Sequence, residues 1–305
     1  MISRLYLLMT IVLFSALIIV FSQSISAEEQ SVFFIKRIYS GFRNPEGSVY
    51  DPVRDCYYIS NMNGGPSQKD NSAFISRIKQ KKKNFNVDIF LESSEKIELH
   101  APKGMAVKKD FLFIADIDSV VLINIEKRKF ISRIKINGAR FLNDIVIDAE
   151  NNMFVSDTAT DMIFKLAYPY TNVKQNALSV SKYLKAPNGL MIHPETDNLW
   201  IVSFKSPFLV ELNPKNGKLI SRKNIKTSGH DGICRGFDSD DIFVSIHSKG
   251  YLLKISPSSS SDFLVKLVNK KKLEKPADIS YDPIRNIIVV PEMSEGSVSL
   301  FRVTE

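Results

Sequence analysis

The chain has 305 residues, 44% of them hydrophobic and 24% charged, with a formal net charge of +8. That is ample apolar material for a core and excludes a disordered chain. The surplus Lys and Arg fall in short runs, KQKKK (79–83) and NKKK (269–272). No zinc finger, recognition helix or aromatic-basic RNA motif accompanies them, so a solvated basic rim is expected and nucleic acid is not expected as a partner.

The first element in chain order is a leader. Arg4 precedes an uncharged apolar stretch from Leu5 to Phe21, and small residues follow before Glu28. Residues 1–27 are expected to be an export signal cleaved after Ser26 or Ala27, with an uncleaved anchor over residues 5–22 as the alternative. Either way residues 28–305 are expected outside the cytoplasm, periplasmic or secreted, touching a membrane only if the anchor persists.

Six related segments follow: NPEGSVYDPVRDCYYISNM (44–62), APKGMAVKKDFLFIADI (101–117), FLNDIVIDAENNMFVSDT (141–158), APNGLMIHPETDNLWIVSF (186–204), GHDGICRGFDSDDIFVSIH (229–247) and KPADISYDPIRNIIVVPEM (275–293). Each holds a turn, a short alternating run, a polar turn and a second apolar run, which is the pattern of a β-hairpin. Aligning Glu46, Lys103, Asn143, Asn188, Asp231 and Ala277, the steps between copies are 57, 40, 45, 43 and 46 residues. Further β-like runs lie between the hairpins, for example AFISRIK (73–79), VVLINIE (120–126) and FLVELNP (208–214). Four strands per repeat at that period predict an all-β, six-bladed β-propeller forming a single domain over residues 28–305.

The ends of the chain fit closure. After the sixth hairpin only GSVSLFRVTE remains, and SVFFIKRIY (31–39) precedes the first without a partner of its own. Pairing the N-terminal strand with the C-terminal blade would close the ring and leave no open edge. Cys56 then falls in blade one and Cys234 in blade five, which are not neighbours, so two free buried thiols are expected. A monomer is expected.

In such a ring the residue opening the first strand and the residue ending the second share one face. The first set is Glu46, Lys103, Asn143, Asn188, Asp231 and Ala277; the second is Asn61, Asp116, Asp157 and Ser203, then His247 and Glu292, for which a register slip of about one residue is expected. Structural turns account for Asp116 and Asp157, but Glu46 between Pro45 and Gly47 is a poor turn former. Glu46, Asn188 and Asp231 would gather two carboxylates and an amide at one channel mouth, which calls for a cation. Oxygen donors favour Ca²⁺, with Mg²⁺, Mn²⁺ or Zn²⁺ as alternatives. His193 and His100 read as local hydrogen-bonding residues; His230 and His247 lie close enough to the mouth to touch a ligand, but local hydrogen bonding is the favoured reading for them too.

NPEGSVYD, FLNDIVIDAENNMFVSDT, APNGLMIHP and HDGI resemble signature segments of the gluconolactonase, senescence-marker-protein and luciferin-regenerating-enzyme family, over about residues 35–303. The resemblance implies a divalent cation held by Glu46, Asn188 and Asp231, with Asp231 also drawing the proton from the attacking water and Asn143 contacting substrate. It implies hydrolysis of a lactone or related ester, a small-molecule substrate. Lys103, Asn61 and His247 complete the expected substrate contacts. Blades two and six, with PKGMAV and PADISYD, depart from the family pattern, and the Asn- and Gly-rich stretch 60–78 is expected to loop over the mouth. A non-catalytic ligand- or protein-binding propeller is the alternative. A strictosidine-synthase-like ring would need another acid there, for which Glu292 is the candidate.

Overall fold

Each of the six segments forms the antiparallel hairpin that its alternation predicts. The computed structural model describes residues 32–170, 176–178, 183–237, 241–255 and 272–304. The leader and its anchor alternative lie outside the described residues. Inner and second strands pair as Pro45–Asp51 with Cys56–Asn61, Pro102–Lys108 with Phe111–Asp116, and Leu142–Ile147 with Met153–Asp157. The second half repeats this with Pro187–Ile192 and Leu199–Ser203, His230–Arg235 and Ile242–Ile246, and Ser280–Asp282 and Ile287–Glu292. Third strands follow at Phe74–Lys81, Ser119–Asn124, Met162–Leu166, Phe208–Leu212, Tyr251–Ile255 and Ser297–Val303. The result is six small antiparallel sheets, each the blade of a six-bladed β-propeller.

Closure is the pairing that the chain ends predict. Val32–Ile38 runs antiparallel to Ser297–Val303, from Val32 opposite Val303 to Ile38 opposite Val298, and is the outermost strand of blade six. Arg37 ion-pairs with the fully buried Glu292 at 2.7 Å, which locks this strand onto its blade. At the axis, the Asp278 amide donates to the Glu46 carbonyl at 2.9 Å, so the last blade also meets the first.

The core lies between blades rather than at the centre of the ring. Six apolar clusters each draw side chains from two neighbouring blades, one cluster for every blade interface. The alternating strands therefore bury one set of residues against each neighbour. Cys56 sits between blades one and two and Cys234 between blades five and six; both are free and buried, as expected.

One local irregularity positions the site. In blades one to five the inner strand carries an extra residue, between Pro45 and Ser48, Pro102 and Met105, Leu142 and Ile145, Pro187 and Leu190, and His230 and Ile233. Such a bulge breaks the alternation and re-aims the bulged side chain. Glu46, Lys103, Asn143, Asn188 and Asp231 are the bulged residues. The pairing also corrects the expected slip: Pro276 bridges Glu292 in register with the other blades, whereas in blade five His230 pairs with Ile246 and His247 stands one residue beyond the equivalent place.

Candidate metal and substrate site

The bulge leaves an inner-strand N–H without a ladder partner, and in alternate blades a serine takes it. Ser60 Oγ accepts from the Gly47 amide at 2.7 Å and donates to the Lys103 carbonyl of the next blade at 2.8 Å. Ser156 bridges the Asp144 amide and the Asn188 carbonyl at 2.9 and 2.7 Å. Ser245 bridges the Gly232 amide and the Ala277 carbonyl at 2.8 and 2.7 Å. Each hydroxyl thus fixes the bulge of its own blade and the ring residue of its neighbour.

The side chains so placed are buried, and their polar atoms are left over. Glu46 Oε2, Asn143 Oδ1, Asn188 Oδ1 and Asp231 Oδ1 have no hydrogen-bond partner, although an unpaired buried oxygen costs about 1–3 kcal/mol. The Asn143 amide has a set orientation: Nδ2 donates to Thr158 Oγ1 at 3.1 Å while that hydroxyl donates to the Pro187 carbonyl, so Oδ1 is its free end. Burial pushes the Glu46 carboxyl well above its ordinary range, the Asp231 charge adding to the rise and the Lys103 ammonium opposing it. Burial likewise raises Asp231 to about 7, with Asp144 adding to the effect and Lys103 opposing it. Glu46, Asp231 and Lys103 therefore share one electrostatic environment at the channel mouth.

Four unpaired oxygens, two from carboxyl groups and two from amides, form a donor set suited to a hard cation. A divalent ion held by Glu46, Asn188 and Asp231 would require oxygen donors of this kind, and Asn143 offers a further acceptor. Among the described residues no group of three or more His, Cys, Asp and Glu forms a metal-binding cluster, so this set depends on its asparagines.

Asp144 and Asp278 belong to the same column but did not emerge from the sequence. They occupy the position after the ring residue, which reads Gly, Gly, Asp, Gly, Gly, Asp around the six blades. Glycine is needed where inner strands nearly touch: a Cβ on Gly47 would lie 2.3 Å from the Lys103 carbonyl oxygen. Asp144 accepts from the Leu190 and Ile145 amides, both at 2.6 Å, while burial raises it to about 7. Burial also lifts Asp278 well above the ordinary range, with Asp144, Glu46 and Asp231 adding to it. These two form the floor of the mouth; below them a cavity of about 320 Å³ continues between Met105, Met191, Ile233 and Ile279. A larger groove of about 760 Å³ lies against the outer part of blade one, away from all of these residues.

The other expected contacts divide. Lys103 is only 1% exposed; Nζ donates to the carbonyls of Pro66 and Ala101 at 2.8 and 3.0 Å and stands 4.3 Å from the centre of the Phe141 ring. Pro66 lies in the Asn- and Gly-rich stretch, which Lys69–Asp118 and the Asn71 amide on His100 Nδ1 hold against blade two. His247 Nδ1 stands 3.4 Å from Asp231 Oδ2. Asn61, in contrast, is consumed structurally: Oδ1 accepts from the Arg43 amide, and Nδ2 donates to the Ile59 carbonyl and Ser76 Oγ, each at 3.0 Å. Asp116 and Asp157 clamp the His100 and Ala101 amides and the Arg140 and Phe141 amides in the same way. Glu292 accepts from the Glu274 amide and pairs with Arg37, so it is not free to act as a mouth acid. His230 is completely buried facing the backbone of Ser203 and Thr227, with neither ring nitrogen in a close hydrogen bond, and burial lowers it to about 4.

No protein-family model matches this chain, and no curated protein matches it in sequence. Solved structures do share its fold. A catalytically inactive histidine-to-alanine variant of virginiamycin B lyase from Staphylococcus aureus, bound to quinupristin, superposes with a TM-score of 0.61 at 12% identity, covering 90% of this chain and 99% of that one. Hydrazine synthase of Kuenenia stuttgartiensis gives 0.59 at 14%, over 86% and 78%. An auxiliary nutrient-binding protein of Bacteroides thetaiotaomicron gives 0.64 at 10%, over 87% and 70%. The neighbours thus include a lyase and a nutrient-binding protein, and identities this low speak to the fold alone.

Proposed function

We propose that this chain is an exported, divalent-metal-dependent hydrolase of lactones or related esters, similar to gluconolactonase, with Ca²⁺ as the ion. The observation that carries the reading is the set of unpaired buried oxygens on Glu46, Asn143, Asn188 and Asp231. Four separate blades each present one, although an ordinary scaffold pairs such atoms.

Glu46, Asn188 and Asp231 would hold the ion. When bound, it would polarise the substrate carbonyl and stabilise negative charge on its oxygen. Asp231 draws a proton from the attacking water, with the His247 ring against its second oxygen. Asn143 Oδ1 orients substrate by accepting from a hydroxyl. The stretch carrying Pro66, fastened by Lys103, covers blade two's side of the mouth and limits entry of water.

A hydrolysis screen of sugar lactones and aryl esters, with Ca²⁺ and with EDTA, tests this on residues 28–305. Turnover that needs the ion and falls at least about a hundredfold in Asp231→Asn supports it. Cation binding without turnover of any ester or lactone would instead identify a ligand-binding ring.

A further inference from the structure

The mouth is acidic inside and basic outside. Lys205, Lys249 and Lys275 are exposed on three successive loops, following Ser203, following His247 and preceding Ala277. Those loops adjoin one another: the Gly229 amide donates to the Phe204 carbonyl, Ser248 Oγ donates to the Ser228 carbonyl, and the Leu273 amide donates to the Gly250 carbonyl. None of the three lysines forms an ion pair with a described carboxylate. Of the acids on neighbouring loops, Asp161 is held by Lys185 at 3.0 Å and also feels the Lys205 charge, Glu274 is half-buried and Glu295 is exposed. All three stand at the rim by position: Lys205 lies two residues beyond Ser203, Lys249 two residues beyond His247, whose Nδ1 is 3.4 Å from Asp231 Oδ2, and Lys275 two residues before Ala277.

A neutral substrate gives such an arc nothing to do, whereas an anionic one gains from it on approach and when bound. Two half-exposed aromatic rings, Phe141 beside Lys103 and Phe204 beside His247, flank the mouth and suit the carbon frame between a reacting carbonyl and a distal charge. Resting on the hydrolase reading, we infer that the preferred substrate is an acidic ester or lactone, its carbonyl at the Glu46–Asn188–Asp231 end and its own carboxylate on the Lys205–Lys249–Lys275 arc.

Matched pairs of lactones and aryl esters, one partner bearing a free carboxylate and the other its neutral amide, test this with the Ca²⁺-loaded protein. The acid partner is expected to show the higher kcat/KM. The ratio should fall roughly threefold to fivefold per lysine removed in Lys249→Gln and Lys275→Gln, and collapse towards one in high salt. Equal kcat/KM for both partners, in a protein that turns over both, overturns the inference and leaves the hydrolase reading standing. If neither partner is hydrolysed, the hydrolase reading falls. Calorimetry with a hydroxy-dicarboxylate and its diamide then decides the charge preference: tighter binding of the acid that weakens in Lys275→Gln supports it, and equal or absent binding overturns it.

Discussion

Asp231 and Asp144 are carboxyl groups that the fold holds near neutrality, both raised to about 7, chiefly by burial. A raised carboxyl pKa means that the folded state takes up a proton the unfolded chain has already lost. The stability each group contributes is full below the unfolded value near 3.8 and is lost as pH rises through 7. Without divalent ions, the melting temperature should rise as pH is lowered from 8 to 6.5, the gain in stability being about 1 kcal/mol for one such group. The depressed His230 and His247 oppose this rise at the lower end of the window, where the unfolded histidines begin to take up protons. Saturating Ca²⁺ should flatten this dependence, and Asp231→Asn should remove part of it; a melting curve independent of pH in EDTA would count against a cation-free carboxyl cluster. Asn61 supplies the control. Asn61→Ala should lower stability, because it frees the Arg43 amide, yet leave the Ca²⁺ response intact.

At the scale of the strand pair, Ser60, Ser156 and Ser245 are the residues to perturb. Each closes a bulge and reaches the next blade, so replacing Ser60 by Ala strands the Gly47 amide and the Lys103 carbonyl together. Ser156→Ala is expected to cost about 1–3 kcal/mol in urea unfolding and to weaken Ca²⁺ binding, because it releases the Asn188 carbonyl. A loss of stability with unchanged affinity would mean that the bulge does not depend on the serine. The hairpins themselves were legible because their apolar alternation and turns recur six times. The bulges were not, since an extra residue in one strand shows only in the pairing with the other. For the same reason Asn61 looked like a mouth residue, whereas its amide faces the backbone of its own blade. Asp144 and Asp278 depart from a Gly pattern that went unread, and nothing in their spacing shows that the inner strands approach closely enough to bury them.

The whole ring is a consequence of its ends. Val32–Ile38 comes from one end of the described chain and Ser297–Val303 from the other, and their pairing completes blade six. A chain lacking residues 1–39 loses that strand, two buried apolar anchors at Val32 and Ile38, and the Arg37 partner of Glu292. It should melt about 10 °C lower or fail to fold cooperatively, as read by calorimetry; an unchanged transition would show that closure contributes nothing. Closure also explains how Glu46 and Asp231, 185 positions apart in the chain, come to act on one another's charge at the ring axis. The most direct test is a calorimetric Ca²⁺ titration of residues 28–305. It should give one site per chain, abolished in Glu46→Gln and in Asp231→Asn. Absence of binding, or binding that survives both changes, would contradict the assignment of these oxygens to a cation.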